Sequence, residues 1–265
     1  MIQNYEKLLK CFKASCRVQT PKALGSCTII YSKGGNTYAL TNFHVIENCI
    51  TYKEKWDNIL KKDIKKEFTK QVEVLYPRME DDRVVGYATV LADIVLHDKQ
   101  QDIALLKFKN DTNKYPSVKW FPRDEIKKIP YLTELACIGA ALGYKPIVTF
   151  GNLNSIGEEI DNYEYWMSSA QSIFGNSGGG IFAEKDSDWL FLGIPSRIAV
   201  IPMGFGANAI THMGFFIPLF RIYDWLEENC YQFIYDSTFT IEQCEELRDK
   251  KKEEGIINQL IKKKL

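Results

Sequence analysis

From Cys27 onward the chain breaks into short β-rich runs separated by turn residues, and no amphipathic helix is regularly interleaved between them. CTIIYS, a Gly34-Gly35-Asn36 turn and TYALTNFHVI read as a hairpin. Further runs follow at 72–77, 84–96, 102–108, 135–142, 147–156, 165–170, 180–184, 189–195 and 214–218. Many short strands without crossover helices exclude a parallel βαβ sheet and predict an all-β sandwich or barrel architecture. The 265 residues suit either two domains or a pair of packed barrels counted as one unit.

Three segments fall outside the strand pattern. Tyr5, Leu8, Leu9 and Phe12 share one helical face, so about the first 15 residues are expected to form a short amphipathic helix docked on the body. Between the early strands, KEKWDNILKKDIKKEFTK (53–70) places Trp56, Ile59, Leu60, Ile64 and Phe68 near helical spacing and predicts an inserted surface helix. RIYDWLEENC (221–230) predicts a second helix laid against the body by Ile222, Trp225 and Leu226. A charged helical tail follows, opened by the Thr240-x-x-Gln243 capping box and interrupted by Gly255, with apolar residues at 256, 257, 260 and 261 suited to docking or self-association.

With 34 basic side chains set against 34 acidic ones, the molecule has no overall field to hold a polyanion, so neither a nucleic acid nor a membrane is expected as partner. The start, MIQNYEKLLKCFKASC, is broken by charges, and no run of about 18 apolar residues occurs, which predicts cytoplasmic residence. The cysteines at 11, 16, 27, 49, 137, 230 and 244 form no CxxC pair or even framework, and free thiols are expected. Cys11 with Cys16, and His97 with Asp98, lack metal-ligand spacing, so no metal and no cofactor is implied. Gly204-Phe205-Gly206 lacks the strand-to-helix setting of a phosphate cradle and reads better as a loop shaping a cleft.

The chemistry concentrates in Gly175-Asn176-Ser177-Gly178-Gly179-Gly180, between two strand runs. Glycines flanking a serine let the backbone turn sharply, present the hydroxyl and aim neighbouring N–H groups at a substrate oxygen. Such a serine needs a base. Of the three histidines, His44 ends a predicted strand, whereas His97 and His212 fall in loop-like stretches. Asp102 leads directly into the apolar run IALLKF, where an unpaired carboxylate is costly and an imidazole N–H is its natural partner.

The order His44, Asp102, Ser177 is the chymotrypsin-type order. TNFHVI, QQDIALLKF and FGNSGGGIF resemble the histidine, aspartate and serine motifs of trypsin-like serine peptidases. The stretches ACIGAALGYKPIVTFGNLNSIG, SSAQSIFGNSGGG and GFFIPLFRIYDWLEEN are most similar to the bacterial high-temperature-requirement branch and its single-domain relatives. The resemblance covers residues 22–230, and no PDZ-sized segment follows it. It implies two packed six-stranded antiparallel β-barrels with peripheral N- and C-terminal helices. The expected division is an N-terminal helical segment at 1–20, a peptidase domain at 21–235 with a helical insertion at about 51–70, and a charged helical tail at 236–265.

The implied activity is serine endopeptidase, with a protein or peptide as substrate. Ser177 would be the nucleophile, His44 the base and Asp102 its orienter, with the backbone N–H groups of Gly175 and Ser177 as oxyanion donors. Asn176 replaces the aspartate of proteases activated by a new amino terminus, and Gln171 replaces the aspartate by which trypsin holds Arg or Lys. By the same resemblance Gln171, Ser172, Ser196, Ile198, His212 and Gly214 are candidate walls of the substrate pocket, with His212 placed to meet a polar or acidic side chain. A protease-fold binding or scaffold module, engaging a regulatory protein partner through the helical extensions, is the alternative.

Overall fold

The computed structural model describes residues 4–58, 61–110, 115–204 and 206–262, the side chains of 256–262 excepted. A short helix α1 (Tyr5–Lys13) precedes strands β1 (Ser15–Gln19), β2 (Leu24–Lys33) and β3 (Asn36–Thr41). A single helical turn α2 (Phe43–Ile46) is followed by β4 (Ile50–Asp57), β5 (Lys62–Thr69), β6 (Val72–Glu80), β7 (Arg83–Asp98) and β8 (Ile103–Lys109). Then come β9 (Glu134–Gly139), β10 (Ile147–Ile160), β11 (Tyr163–Ser168), β12 (Gly180–Lys185), β13 (Asp188–Met203) and β14 (Gly206–Pro218). Helices α3 (Leu219–Glu228) and α4 (Ile241–Lys262) end the described chain.

The strands close into two six-stranded antiparallel barrels, ordered β1-β2-β3-β8-β7-β6 and β10-β11-β14-β13-β12-β9. The chain is therefore mostly β with a chymotrypsin-like fold, as expected. In the first barrel Cys16, Val18, Cys27, Ile29, Val72, Val74 and Leu105 are fully buried; in the second, Leu135, Cys137, Trp166, Phe182, Phe191 and Phe216 fill the same role. Strands such as β2, β8 and β12 are buried over continuous short runs bounded by turn residues, which is what makes them legible as strands. In α3, Ile222, Trp225 and Leu226 are buried against the barrels.

The 53–70 segment departs from its expected helix. It forms the two-stranded hairpin β4–β5, in register from Ile50↔Thr69 to Asp57↔Lys62. The spacing of Trp56, Ile64 and Phe68 is near helical, but no neighbouring surface covers such a stripe: Trp56 and Phe68 are 54% and 41% exposed. Pairing instead sets Glu54 opposite Lys65 and Asp57 opposite Lys62, opposite charges that favour an antiparallel ladder. Ile59 and Leu60 lie outside the described residues.

His97 and His212 lie in strands β7 and β14, not in loops. A register irregularity between Ile94 and Leu96 lets β7 continue to Asp98, and the β13–β14 hairpin runs on to Met203↔Gly206. Much of that extension is solvent-exposed, so no burial alternation marks it in the sequence. Gly255 does not interrupt α4; glycine costs a helix interior about 1 kcal/mol, too little to break it. The Thr240–Gln243 capping box is present, with reciprocal bonds of 2.9 and 3.2 Å.

Candidate active site

His44 stands on α2, a helical turn rather than the strand end expected, because the chain bends immediately after β3 at Asn42. Asp102 ends the β7–β8 turn. There the Asp98 carboxylate accepts the N–H groups of Gln100 (2.8 Å) and Gln101 (2.9 Å), while Asp102 takes a left-handed φ of 58°. The Asn42 amide donates to the Asp102 carbonyl at 2.9 Å and ties the two segments together.

The Asp102 carboxylate is buried and receives donors on both oxygens. His44 Nδ1 lies 3.0 Å from each, the His44 backbone N–H donates to Oδ1 at 3.0 Å, and the Ser196 hydroxyl donates to Oδ2 at 2.6 Å. A carboxylate so surrounded stays an acceptor, and that assigns the neutral imidazole's proton to Nδ1 and leaves Nε2 with its lone pair. The His44 side chain is 46% exposed, so its outer edge faces the cleft and solvent.

Ser177 is brought to the same place from the second barrel. A side chain on Gly25 of β2 would approach Val45 of α2 within 2.7 Å and the Ser177 carbonyl within 3.3 Å. The turn carrying His44 and the loop carrying Ser177 thus close on one strand, and the Ser26 N–H donates to the Ser177 carbonyl at 2.8 Å. Among the described residues no hydrogen bond joins the Ser177 hydroxyl to the His44 ring.

The loop's backbone bonds determine where its free amides point. In a trans peptide the C=O and the following N–H point in opposite directions. The Phe174 carbonyl accepts from the Leu142 N–H at 2.6 Å, and the Asn176 carbonyl accepts from the Gly179 N–H at 2.8 Å. The Gly175 and Ser177 N–H groups are therefore turned the other way, and among the described residues neither has an acceptor. Gly175 reaches this arrangement with φ 99°, where a Cβ would come within 2.6 Å of the Ala140 carbonyl oxygen. Asn176 is fully buried, its amide 3.5 Å from Cys137 Sγ. Burial pushes the Cys137 thiol up to about 12, so that sulfur does not compete as a nucleophile.

Of the candidate pocket walls, Ser172, Ile198 and Gly214 come together. Ile198 pairs with Gly214 across β13–β14, and a Cβ on Gly214 would lie 2.7 Å from the Ser172 Cβ. Gln171 is exposed, with its carbonyl accepting the Thr149 hydroxyl at 2.8 Å. His212 is exposed on β14, two residues before Gly214. The Ser196 hydroxyl is committed to Asp102. Gly204 and Gly206 flank the tip of the β13–β14 hairpin, and Phe205 lies outside the described residues. A cavity of about 450 Å³ is lined by Lys22, Leu24, Leu142, Phe174 and Gly175 among others.

Sequence reasoning named Ser196 only as a pocket wall, without its bond to Asp102, and missed Ser26 altogether. The one signal each carries is a small hydroxyl inside an apolar strand run, in LGIPSRI and LGSCTII. Among the described residues no three His, Cys, Asp or Glu side chains cluster to hold a metal ion, and no helix is long and apolar enough to cross a membrane.

The family described as trypsin-like peptidase domain matches residues 25–194. Among solved structures, the HtrA-type protease AlgW with tripeptide superposes with a TM-score of 0.62 at 21% identity, covering 86% of this chain and 64% of that one. A serine-to-alanine form of AlgW with tripeptide gives 0.62 at 20% identity, with 87% and 64% covered. The serine endoprotease from Yersinia pestis gives 0.59 at 21% identity, with 86% and 66% covered. The chain thus spans about two thirds of the length of these structures, and the likeness is one of fold. No curated protein sequence matches the chain.

Proposed function

The chain belongs to the trypsin-like peptidase domain family, and from that premise we propose that it is a serine endopeptidase acting on protein or peptide substrates through an acyl-enzyme. The observation that carries this reading is the Asp102 carboxylate held 3.0 Å from His44 Nδ1, which leaves Nε2 as a base beside the Ser177 loop.

In the proposed reaction the Ser177 oxygen attacks the scissile carbonyl carbon while His44 Nε2 takes its proton. The carbonyl π electrons move onto oxygen, which becomes an oxyanion held by the Gly175 and Ser177 N–H groups. Collapse expels the amine, which receives the proton from His44 and leaves Ser177 acylated. Water then repeats the sequence and releases the acid. Asp102 stays ionised throughout and stabilises the imidazolium. No hydrogen bond joins the hydroxyl and the ring among the described residues, and such contacts tighten once substrate fills the cleft. A tripeptide accompanies the similar AlgW structures, which supports a peptide as a ligand of this chain. All seven cysteines are free and buried, which supports residence in a reducing compartment such as the cytoplasm.

The missing Ser177–His44 hydrogen bond favours a second reading, a protease-fold module that binds a partner protein without turning it over. Turnover separates the two. A fluorophosphonate probe is expected to label the wild-type chain at Ser177, and Ser177→Ala is expected to abolish both labelling and peptide cleavage with an unchanged melting temperature. A folded wild-type chain that neither labels nor cleaves any member of a peptide library would refute the peptidase reading and leave the binding module.

A further inference from the structure

Ser26 lies in β2 with no solvent exposure, and its side chain and backbone polar atoms are all engaged. Its hydroxyl donates to the Gly175 carbonyl at 2.7 Å and accepts from the Ala140 N–H at 2.7 Å. Its N–H donates to the Ser177 carbonyl at 2.8 Å, and its carbonyl accepts the Thr41 hydroxyl at 2.8 Å. One residue of the first barrel therefore grips the carbonyls on both sides of Asn176 in the second.

The consequence falls on Gly175. The peptide before it is fixed by the Leu142 N–H on the Phe174 carbonyl, and the peptide after it by the Ser26 hydroxyl on its own carbonyl. A glycine crosses between positive and negative φ at little cost, so its N–H has no intrinsic reason to keep one direction. Fixing both flanking peptide planes fixes φ at 99° and with it the aim of that N–H. We propose that the Ser26 hydroxyl is a positioning residue that holds the Gly175 amide in its oxyanion-binding orientation. The inference rests on the peptidase reading of the site.

A hydroxyl is required because it donates and accepts at once. Ser26→Ala leaves both the Gly175 carbonyl and the Ala140 N–H without a partner, and rotation of the Gly175 peptide is the simplest relief. Because the oxyanion develops only on the way to the tetrahedral intermediate, the cost appears in kcat and not in KM.

The test compares wild type, Ser26→Ala, Ser26→Cys and Ser15→Ala on a peptide substrate, with a peptide boronate as tetrahedral mimic. Ser15→Ala removes another fully buried hydroxyl of the same barrel, bonded to the Cys11 carbonyl at 3.1 Å, and controls for a general loss of stability. Ser26→Ala is expected to lower kcat by about 10–100-fold, a donor misaimed rather than deleted. KM should stay within about twofold and boronate affinity should fall by the same factor as kcat. Ser15→Ala is expected to melt earlier with kcat retained. Ser26→Cys keeps the size with a weaker donor and is expected to fall between wild type and alanine; if the alanine variant does not fold, this variant decides. Wild-type kcat and boronate affinity in the folded Ser26 variant, with wild type active, would overturn the role of Ser26 alone. An inactive, unlabelled wild type would overturn the peptidase reading and this inference with it.

Discussion

Replacing Asp102 by asparagine changes one atom's hydrogen-bonding sense and nothing in shape, so it isolates what the carboxylate does. Oδ1 accepts the His44 backbone N–H and Nδ1, and Oδ2 accepts the Ser196 hydroxyl and Nδ1. An asparagine offers one acceptor oxygen. The backbone N–H has no other role to adopt, so the amide oxygen is expected on its side, with the NH2 facing Ser196 and Nδ1. The serine hydroxyl can turn round to accept, but Nδ1 must then become an acceptor too, which moves the ring's proton to Nε2. In that tautomer His44 cannot take a proton from Ser177. The expected loss in kcat is about 10³–10⁴-fold, equivalent to about 4–5.5 kcal/mol of transition-state stabilisation. The folded state loses a charge-assisted interaction with a half-exposed ring, about 1 kcal/mol, and so only a few degrees of melting temperature. Rates on a fluorogenic peptide, fluorophosphonate labelling and thermal melts measure both sides. A folded Asp102→Asn variant retaining more than about a tenth of wild-type kcat would refute the assigned role of the carboxylate.

Arg221, buried on α3, stacks on Tyr163 and Tyr165 with centroid distances of 4.7 and 5.0 Å and donates to the Glu164 carbonyl (3.0 Å) and the Gln101 carbonyl (3.4 Å). Arg221→Ala is expected to cost about 2–4 kcal/mol in denaturant unfolding, and Arg221→Lys to recover only part of it, since an ammonium cannot reproduce the planar fork. Burial pushes the Cys11 and Cys137 thiols up to about 12, and the other five are buried as well. No thiol is therefore expected to react rapidly with Ellman's reagent at about pH 8 in the native protein, and all seven should react in denaturant. At Asp188 burial pushes the carboxyl up, but the Lys119 ammonium at 2.5 Å, the Trp189 N–H and Lys7 more than offset it and hold it below the usual range. The stability this carboxylate contributes is present above the unfolded value of about 3.9 and is lost as pH falls through the lower folded value. The melting-temperature gap between wild type and Asp188→Asn is accordingly expected at about pH 7 and should close towards about pH 2; a gap independent of pH would contradict the pairing.

What the sequence discloses and what it hides follow from the range of each interaction. The runs around Ile29, Leu105 and Phe182 are strands because they are short, predominantly apolar and bounded by turn residues, a signal that is written locally. Residues 53–70 mislead because an apolar spacing of three to four says nothing about whether a neighbouring surface exists to cover it; with Trp56 and Phe68 left in solvent, pairing across the hairpin decides the outcome. His44 and Asp102 are readable as partners from the cost of a carboxylate entering an apolar run. Ser26 and Ser196 are not, since their hydroxyls act on residues 149 and 94 positions away.

Those two serines also explain why the site belongs to neither barrel alone. Ser196, on the second barrel, completes the donors around Asp102 of the first, and Ser26, on the first, completes the acceptors of the Gly175 loop of the second. The Arg221 guanidinium adds a third crossing, from α3 to the Gln101 carbonyl just before Asp102. Each such bond is worth only about 1–3 kcal/mol net, small beside the buried cores that hold each barrel closed. The orientation of the imidazole and the aim of the oxyanion amide therefore depend on weak bonds across the barrel interface. Neither core needs to loosen for the chemistry to fail; a small shift of one barrel on the other, enough to lengthen bonds of 2.6 and 2.7 Å, removes both supports together.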